Sequence, residues 1–231
     1  MSALSSELSR ELFPFLVGES LFHPRVFLGF SPTGHDIAQD FYEYDCDTTI
    51  VQRSTTYVMS SASVTEILLA GLYSDKPGCP NTEDADLIFN STPNYLHQVL
   101  HKQVTADIAD FDKDLITGLK KAGFGFDLGI KDSGFLMKYF IRGGGYYLDV
   151  GCSRLIIEKK IKMKQGQEIS HFSEDSIHFA DGTSLKADVV VLATGYQNMK
   201  TTAEKVLGKE ASRCNDVWGL DEQGELKVSD R

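Results

Sequence analysis

The segment from Arg25 to Arg53 constrains this chain more than any other. Arg25-Val26-Phe27-Leu28-Gly29 is a short β-prone run that ends in glycine. From Gly34 to Tyr44, Ile37, Ala38 and Phe41 recur at helical spacing. Asp45 to Asp47 make a turn, and Thr48-Thr49-Ile50-Val51-Gln52-Arg53 returns to β character. Strand, tight turn, helix and strand within about thirty residues form a βαβ unit, whose parallel strands require a right-handed crossover. The fold class that follows is α/β.

The turn inside that unit, Gly29-Phe30-Ser31-Pro32-Thr33-Gly34, is the first candidate site. A glycine at the strand end permits a tight turn. A glycine in the following helix lets strand and helix pack closely, and the helix start turns its free amides toward an anion. Gly29 and Gly34 suit the outer positions of such a fingerprint. Ser31 stands where the middle glycine belongs, and Pro32 removes one amide donor. Arg53 and Ser54 follow the second strand. An acidic residue there would bind the ribose hydroxyls of NAD, whereas an arginine suits the extra phosphate of NADP and can stack on adenine. A plain αβ crossover with a solvated arginine is the competing reading.

Further along, Val64 to Leu72 and Asn94 to Val104 have helical patterns, separated by the loop Lys76-Pro77-Gly78-Cys79-Pro80. Asp107 to Ala122 carries Ile108, Phe111, Leu115 and Leu119 on one helical face, with Gly123 as its C-cap. Gly143-Gly144-Gly145 marks a loop and a candidate domain boundary. From Tyr146 the pattern turns to β, with short strands expected at Leu155 to Lys164, Glu168 to Phe172 and Ser176 to Phe179. Asp181-Gly182 is a hairpin signal. Ala187-Asp188-Val189-Val190-Val191-Leu192-Ala193-Thr194-Gly195 has the continuous apolar pattern of a central parallel strand covered on both faces. Residues 1–24 form an N-terminal extension, in which Met1 to Glu11 could make a short amphipathic helix. A nucleotide-binding domain over 25–145 and a β-rich region over 146–231 complete the expected organisation.

Composition excludes some functions. Acidic residues number 33 against 23 basic, a formal charge of −10, which disfavours a nucleic-acid groove. The cluster Lys159 to Lys164 reads as a strand with one wet face. Cys46, Cys79, Cys152 and Cys214 are far apart with no Cys-x-x-Cys pair, so neither zinc nor a redox dithiol is indicated. Free thiols in a reducing, cytoplasmic compartment are the expectation. Leu12 to Phe22 is apolar but broken by Gly18, Glu19 and Ser20, and nothing approaches the roughly 20 apolar residues of a membrane span.

Several motifs agree in order with one family. Gly34-His35-Asp36-Ile37-Ala38-Gln39-Asp40, then Val51-Gln52-Arg53-Ser54-Thr55-Thr56-Tyr57-Val58, closely resembles the NADPH-binding segment of flavin-containing monooxygenases. Tyr147-Leu148-Asp149-Val150-Gly151 and Ala193-Thr194-Gly195-Tyr196, similar to that family's ATGY signature, resemble it too. Trp218-Gly219-Leu220-Asp221 and Gly224-Glu225-Leu226 look like fungal-type members. The resemblance runs from about Arg25 to Leu226. It implies a Rossmann-like nucleotide-binding domain followed by part of a FAD-domain-like region. NADPH would reduce FAD, and the reduced flavin would activate oxygen against a small organic substrate. Gly29, Ser31, Gly34, Arg53 and Ser54 would hold NADPH, with Ala193, Thr194, Gly195 and Tyr196 between the two cofactor regions. The family's earlier glycine-rich unit for FAD and its closing C-terminal stretch have no counterpart here. The FAD site is therefore expected to be incomplete, with the open face covered by a second copy or a partner chain. A related chain without redox chemistry, acting as a cyclase, isomerase or dehydratase, or a non-catalytic partner, are the alternatives.

Other residues invite chemistry but have plainer readings. His97 and His101 stand four apart on a helix, a spacing that can share a metal, yet no third ligand is evident and a half-buried histidine pair suffices. Cys152 reads as a buried structural thiol. His35 and Asp36 could be an acid–base pair or could pack under the nucleotide turn. Tyr146 and Tyr147 line a pocket or fill the core.

Overall fold

The structure, a computed structural model, describes residues 24–29, 32–195, 199–213 and 215–227, with the backbone alone for residues 24–29, 32 and 212. In chain order the elements are β1 (Pro24–Gly29), α1 (Pro32–Glu43), β2 (Asp47–Gln52), β3 (Tyr57–Ser60), α2 (Thr82–Ser91), α3 (Asn94–Phe111), α4 (Lys113–Lys121) and α5 (Gly134–Arg142). There follow β4 (Tyr146–Asp149), α6 (Cys152–Ile157), β5 (Lys162–Gln165), β6 (Ile169–Phe172), β7 (Ser176–Phe179), β8 (Ser184–Lys186), β9 (Val189–Ala193) and α7 (Met199–Leu207). Two compact units interleave along the chain. The described residues up to Val58, with Lys113–Asp127 and Tyr147–Gly195, make the first; Met59–Asp112, Leu128–Tyr146 and the described residues after 195 make the second. The sequence had suggested one boundary, after Gly145.

The first unit is built on a parallel sheet of order β5-β2-β1-β9. Alternation along β2 explains why it sits inside. Ile50 points into a core with Ala38 and Phe41 of α1, Leu119 of α4 and Ile156 of α6. Val51 points the other way, into Ile177 and Phe179 of the antiparallel meander β6-β7-β8. Both residues are buried, and truncating either to alanine would cost about 2–4 kcal/mol. The meander joins β5 to β9, and its β7–β8 turn uses Asp181-Gly182, with Gly182 at φ +80°. That hairpin was legible in the sequence.

Several expectations change. The 187–195 strand is parallel and packs on both faces through Val190 and Val191. It lies, however, at the edge of the described sheet rather than its centre, and Leu192 is 63% exposed. The strand expected from Leu155 begins only at Lys162. Residues 152–157 are helical instead, because the Asp149 carboxylate accepts the amides of Gly151 (3.2 Å) and Ser153 (3.0 Å) and starts a turn. The helix expected through 107–122 breaks at Asp112. Its buried carboxylate accepts the Ser60 amide (2.8 Å) and the hydroxyls of Ser60 and Ser63 (2.7 Å each). Gly123 does cap α4. Its amide reaches the Lys120 carbonyl and that of Phe124 reaches Leu119, at 3.1 and 3.0 Å, a Schellman pair.

The second unit packs Leu136, Met137 and Phe140 of α5 against Phe89 and Ile130. A helical turn at Ser61–Ser63 widens into a π turn over Val64–Leu68, where the sequence pattern had suggested a helix to Leu72. Gly143 ends α5 at φ +60°, and the indole of Trp218 lies where a side chain at Gly143 would go. Asp221 organises the turn that follows, its carboxylate accepting the amides of Gln223 and Glu225, both at 2.9 Å. Among the described residues, no helix is long and apolar enough to cross a membrane.

Candidate functional site

Because all four strands of the first unit's sheet are parallel, their carboxyl ends share one edge. From β1 the chain moves through α1 to β2 on one side, while β9 pairs on the other, so the strand order reverses between β1 and β9. Crevices at such reversals are where open α/β sheets bind ligands. The register sets Gly29 opposite Ala193, two small residues at the mouth, with Thr194 and Gly195 exposed just beyond. Gly195 has φ +80°, which a residue with a side chain rarely adopts.

The helix that leaves this edge begins at Pro32. The first helical position has no intrahelical use for an amide hydrogen, so proline is tolerated there and its fixed φ favours the turn. Gly34 is buried in that first turn. Arg53 and Ser54 leave β2 at the same edge, both exposed. The fold thus brings Gly29, Gly34, Arg53, Ser54, Ala193, Thr194 and Gly195 to one end of one sheet. Ser31 and Tyr196 lie outside the described residues.

Beneath this edge the structure decides the competing readings of several side chains. His35 is 2% exposed, its ring stacked on Tyr147 at 4.0 Å and 9° and tilted against Phe124 at 5.9 Å. It is buried against these two rings. Asp36 is partly buried, and burial, then the Asp40 carboxylate, raises its carboxyl above the ordinary range. Burial pushes the Cys152 thiol far up, reinforced by Asp149 and Asp36, so it stays protonated and is no nucleophile at neutral pH. Burial likewise raises the Tyr147 phenol, which accepts the Val150 amide at 3.4 Å. In the second unit, Tyr146 meets the Phe135 ring edge-on at 4.6 Å.

The histidine pair also belongs to the second unit. Nε2 of His97 lies 3.0 Å from the Phe89 carbonyl, so it carries the hydrogen and donates. Burial, with His97 beside it, lowers His101 to about 4. Among the described residues no group of three metal-ligating side chains occurs. Two surface depressions, of about 360 Å³ beside Tyr42, Cys46 and Lys160 and about 870 Å³ beside Tyr73, Lys76 and Thr82, gather none of the expected site residues.

One buried polar residue at this sheet end escaped the sequence reading. Gln52, the last residue of β2, is 2% exposed. Its Oε1 accepts the Gly125 amide at 2.7 Å, and its Nε2 donates to the Gly125 carbonyl at 2.9 Å and to the Thr56 hydroxyl at 3.1 Å. In sequence it is a polar residue ending a strand; its partner lies 73 positions away.

Together these features define a class: an α/β protein whose parallel sheet reverses its strand order between β1 and β9, with glycines and an exposed arginine at the carboxyl ends of its strands. No family model matches the chain. A stretch of 49 residues, 21% of this chain and 11% of the relative, is 45% identical to an Arabidopsis thaliana protein provisionally named flavin-containing monooxygenase 2. Among solved structures, bacillithiol disulfide reductase Bdr from Bacillus cereus aligns with 80% of this chain and 32% of its own, at 13% identity and a TM-score of 0.35. A likeness that slight leaves the fold to the strand order itself. The chain thus covers a minor part of each of these proteins.

Proposed function

We propose that this chain is the nicotinamide-nucleotide-holding part of a flavin-dependent oxidoreductase of the flavin-containing monooxygenase type, acting on a small organic metabolite. The observation that carries the reading is the pairing of Gly29 with Ala193 at the strand-order reversal, with Arg53 at the end of the adjacent strand. The order β5-β2-β1-β9 is that of the first four strands of a Rossmann sheet, counted 3-2-1-4. Two small residues at the mouth would suit a diphosphate, and α1 starts at the same end of the sheet, where its N-terminus would favour an anion. Arg53 supplies the positive charge that a 2′-phosphate needs, in a chain of net charge −10. Bound NADPH would supply a hydride; the residues named here bind it and fix its orientation.

FAD fits these residues less well. Gly143–Gly145 connect α5 to β4 and open no helix. Gly151 leads into the six-residue α6, whose Ser153 amide is already taken by Asp149. No FAD diphosphate is therefore placed on either turn. In this reading the flavin is held by residues outside those described or by another chain.

The test is titration of the purified chain with NADPH and NADH, followed by nicotinamide fluorescence, alongside Arg53→Ala. A charge-assisted contact to a phosphate contributes about 1.5–3 kcal/mol. Arg53→Ala is therefore expected to weaken NADPH about ten- to hundredfold and NADH within about twofold. Equal losses for both nucleotides would remove the phosphate-reading role, and no binding of either by the unaltered chain would remove the proposal.

A further inference from the structure

The loop that carries Arg53 is fastened at both ends to one residue, Gly125. At its start, the Gln52 side chain takes both the amide and the carbonyl of Gly125, at 2.7 and 2.9 Å. At its far end, the Thr56 amide donates to that same Gly125 carbonyl at 2.9 Å, and the Thr56 hydroxyl accepts from Gln52 Nε2 at 3.1 Å. The Gln52 carbonyl in turn accepts the Gly166 amide at 2.8 Å. Gln52 and Thr56 are both buried, while Arg53, Ser54 and Thr55 between them are exposed. Gly125 admits no side chain without disturbance. A Cβ there would lie 2.7 Å from Nε2 of Gln165 and 3.1 Å from Oε1 of Gln52.

A part-buried amide network of this kind restrains its backbone, because each polar group left unpaired where water is scarce costs free energy. Three exposed residues strung between two such anchors have little freedom to wander. We infer that Gln52 is a positioning residue: with Thr56 and Gly125 it clamps the Arg53-Ser54-Thr55 loop, and so sets the preference of the site for a 2′-phosphorylated adenine nucleotide over its unphosphorylated counterpart. This rests on the nucleotide-holding reading above and adds to it a residue that touches no ligand. Gln52 acts through the loop.

The test uses the full chain with 2′,5′-ADP and 5′-ADP as probes, in the unaltered protein and in Gln52→Leu, Gly125→Ala and Ile50→Val. Gln52→Leu keeps the volume and deletes the bonds; Gly125→Ala disturbs the same clamp from its other side. Ile50→Val loosens β2 beneath the loop without touching the clamp. The affinity ratio of 2′,5′-ADP to 5′-ADP is expected to fall about tenfold in Gln52→Leu, the worth of one charge-assisted contact misplaced. It should fall in the same direction in Gly125→Ala and hold steady in Ile50→Val, even where stability drops. In the absence of nucleotide, amide hydrogen exchange at Gly125 and Thr56 should quicken in the first two variants alone. A ratio unchanged in both clamp variants, with the unaltered chain still preferring 2′,5′-ADP, would overturn the positioning role and leave the site standing. An unaltered chain that does not distinguish the two probes would instead overturn the nucleotide reading and this inference with it.

Discussion

Replacing His101 with glutamine should remove a specific part of the acid sensitivity of the second unit. In the folded protein burial, with His97 5.9 Å away ring to ring, lowers His101 from its ordinary 6.5 to about 4. Above 6.5 the imidazole is neutral in both folded and unfolded chains, so it contributes no slope. As pH falls through 6.5 the unfolded chain takes up a proton that the folded chain refuses, and stability declines until about pH 4, where both are protonated. The whole shift would correspond to about 3 kcal/mol if the ring were sealed from water. The ring is only partly buried, and solvent screening reduces the expected loss to about 1–2 kcal/mol. Trp218 is the single tryptophan and lies in the second unit, so its fluorescence in urea follows that unit selectively. Unfolding free energies at pH 7.5 and 4.5 should differ by about 1–2 kcal/mol less in His101→Gln than in the unaltered protein. Carboxylate titrations contribute equally to both and cancel in that comparison. Identical pH slopes for the two proteins would refute the buried, neutral state of His101.

Two further outcomes follow from local geometry. Gly143→Ala should cost about 1–2 kcal/mol for a side chain at φ +60°, plus about 1 kcal/mol for displacing the Trp218 indole that occupies the space; measured in a Trp218→Ala background by calorimetry, only the first part should remain, and full additivity would show that glycine and indole do not meet. At pH 8 a thiol reagent should modify the half-buried Cys46 and Cys79 first and reach the fully buried Cys152 only as the chain opens, slower by about a thousandfold or more. Peptide mapping that found Cys152 among the early products would contradict its burial.

How much of the site was legible depended on whether its signal was local. That Gly29, Gly34 and Arg53 fall at one end of the sheet was readable because the end of the first strand, the start of the helix and the end of the next strand belong to one βαβ unit. The Asp181-Gly182 hairpin and the Gly123 cap were readable for the same reason, since both turns take a positive φ, which glycine adopts most readily. Other features went unread for different reasons. Ile156 and Ile157 belong to an apolar run that suits strand or helix equally, and the Asp149 carboxylate settled it by accepting two amides. The break at Asp112 hinges on Ser60 and Ser63, about fifty positions upstream, meeting its carboxylate. Nothing near Val189–Ala193 says how many neighbours the strand has.

Sequence alone determined the α/β class, the parallel pairing around the first helix, and which glycines and which arginine stand at the ends of those strands, because chain direction and backbone freedom are encoded residue by residue. Tertiary structure alone decided that Gly29 faces Ala193, that the two compact units interleave, and that Gln52 rather than any charged residue fastens the Arg53 loop. Those are facts of pairing between distant segments. Hydrogen bonds and burial select such pairings from the whole chain at once, and no window of neighbouring residues contains them.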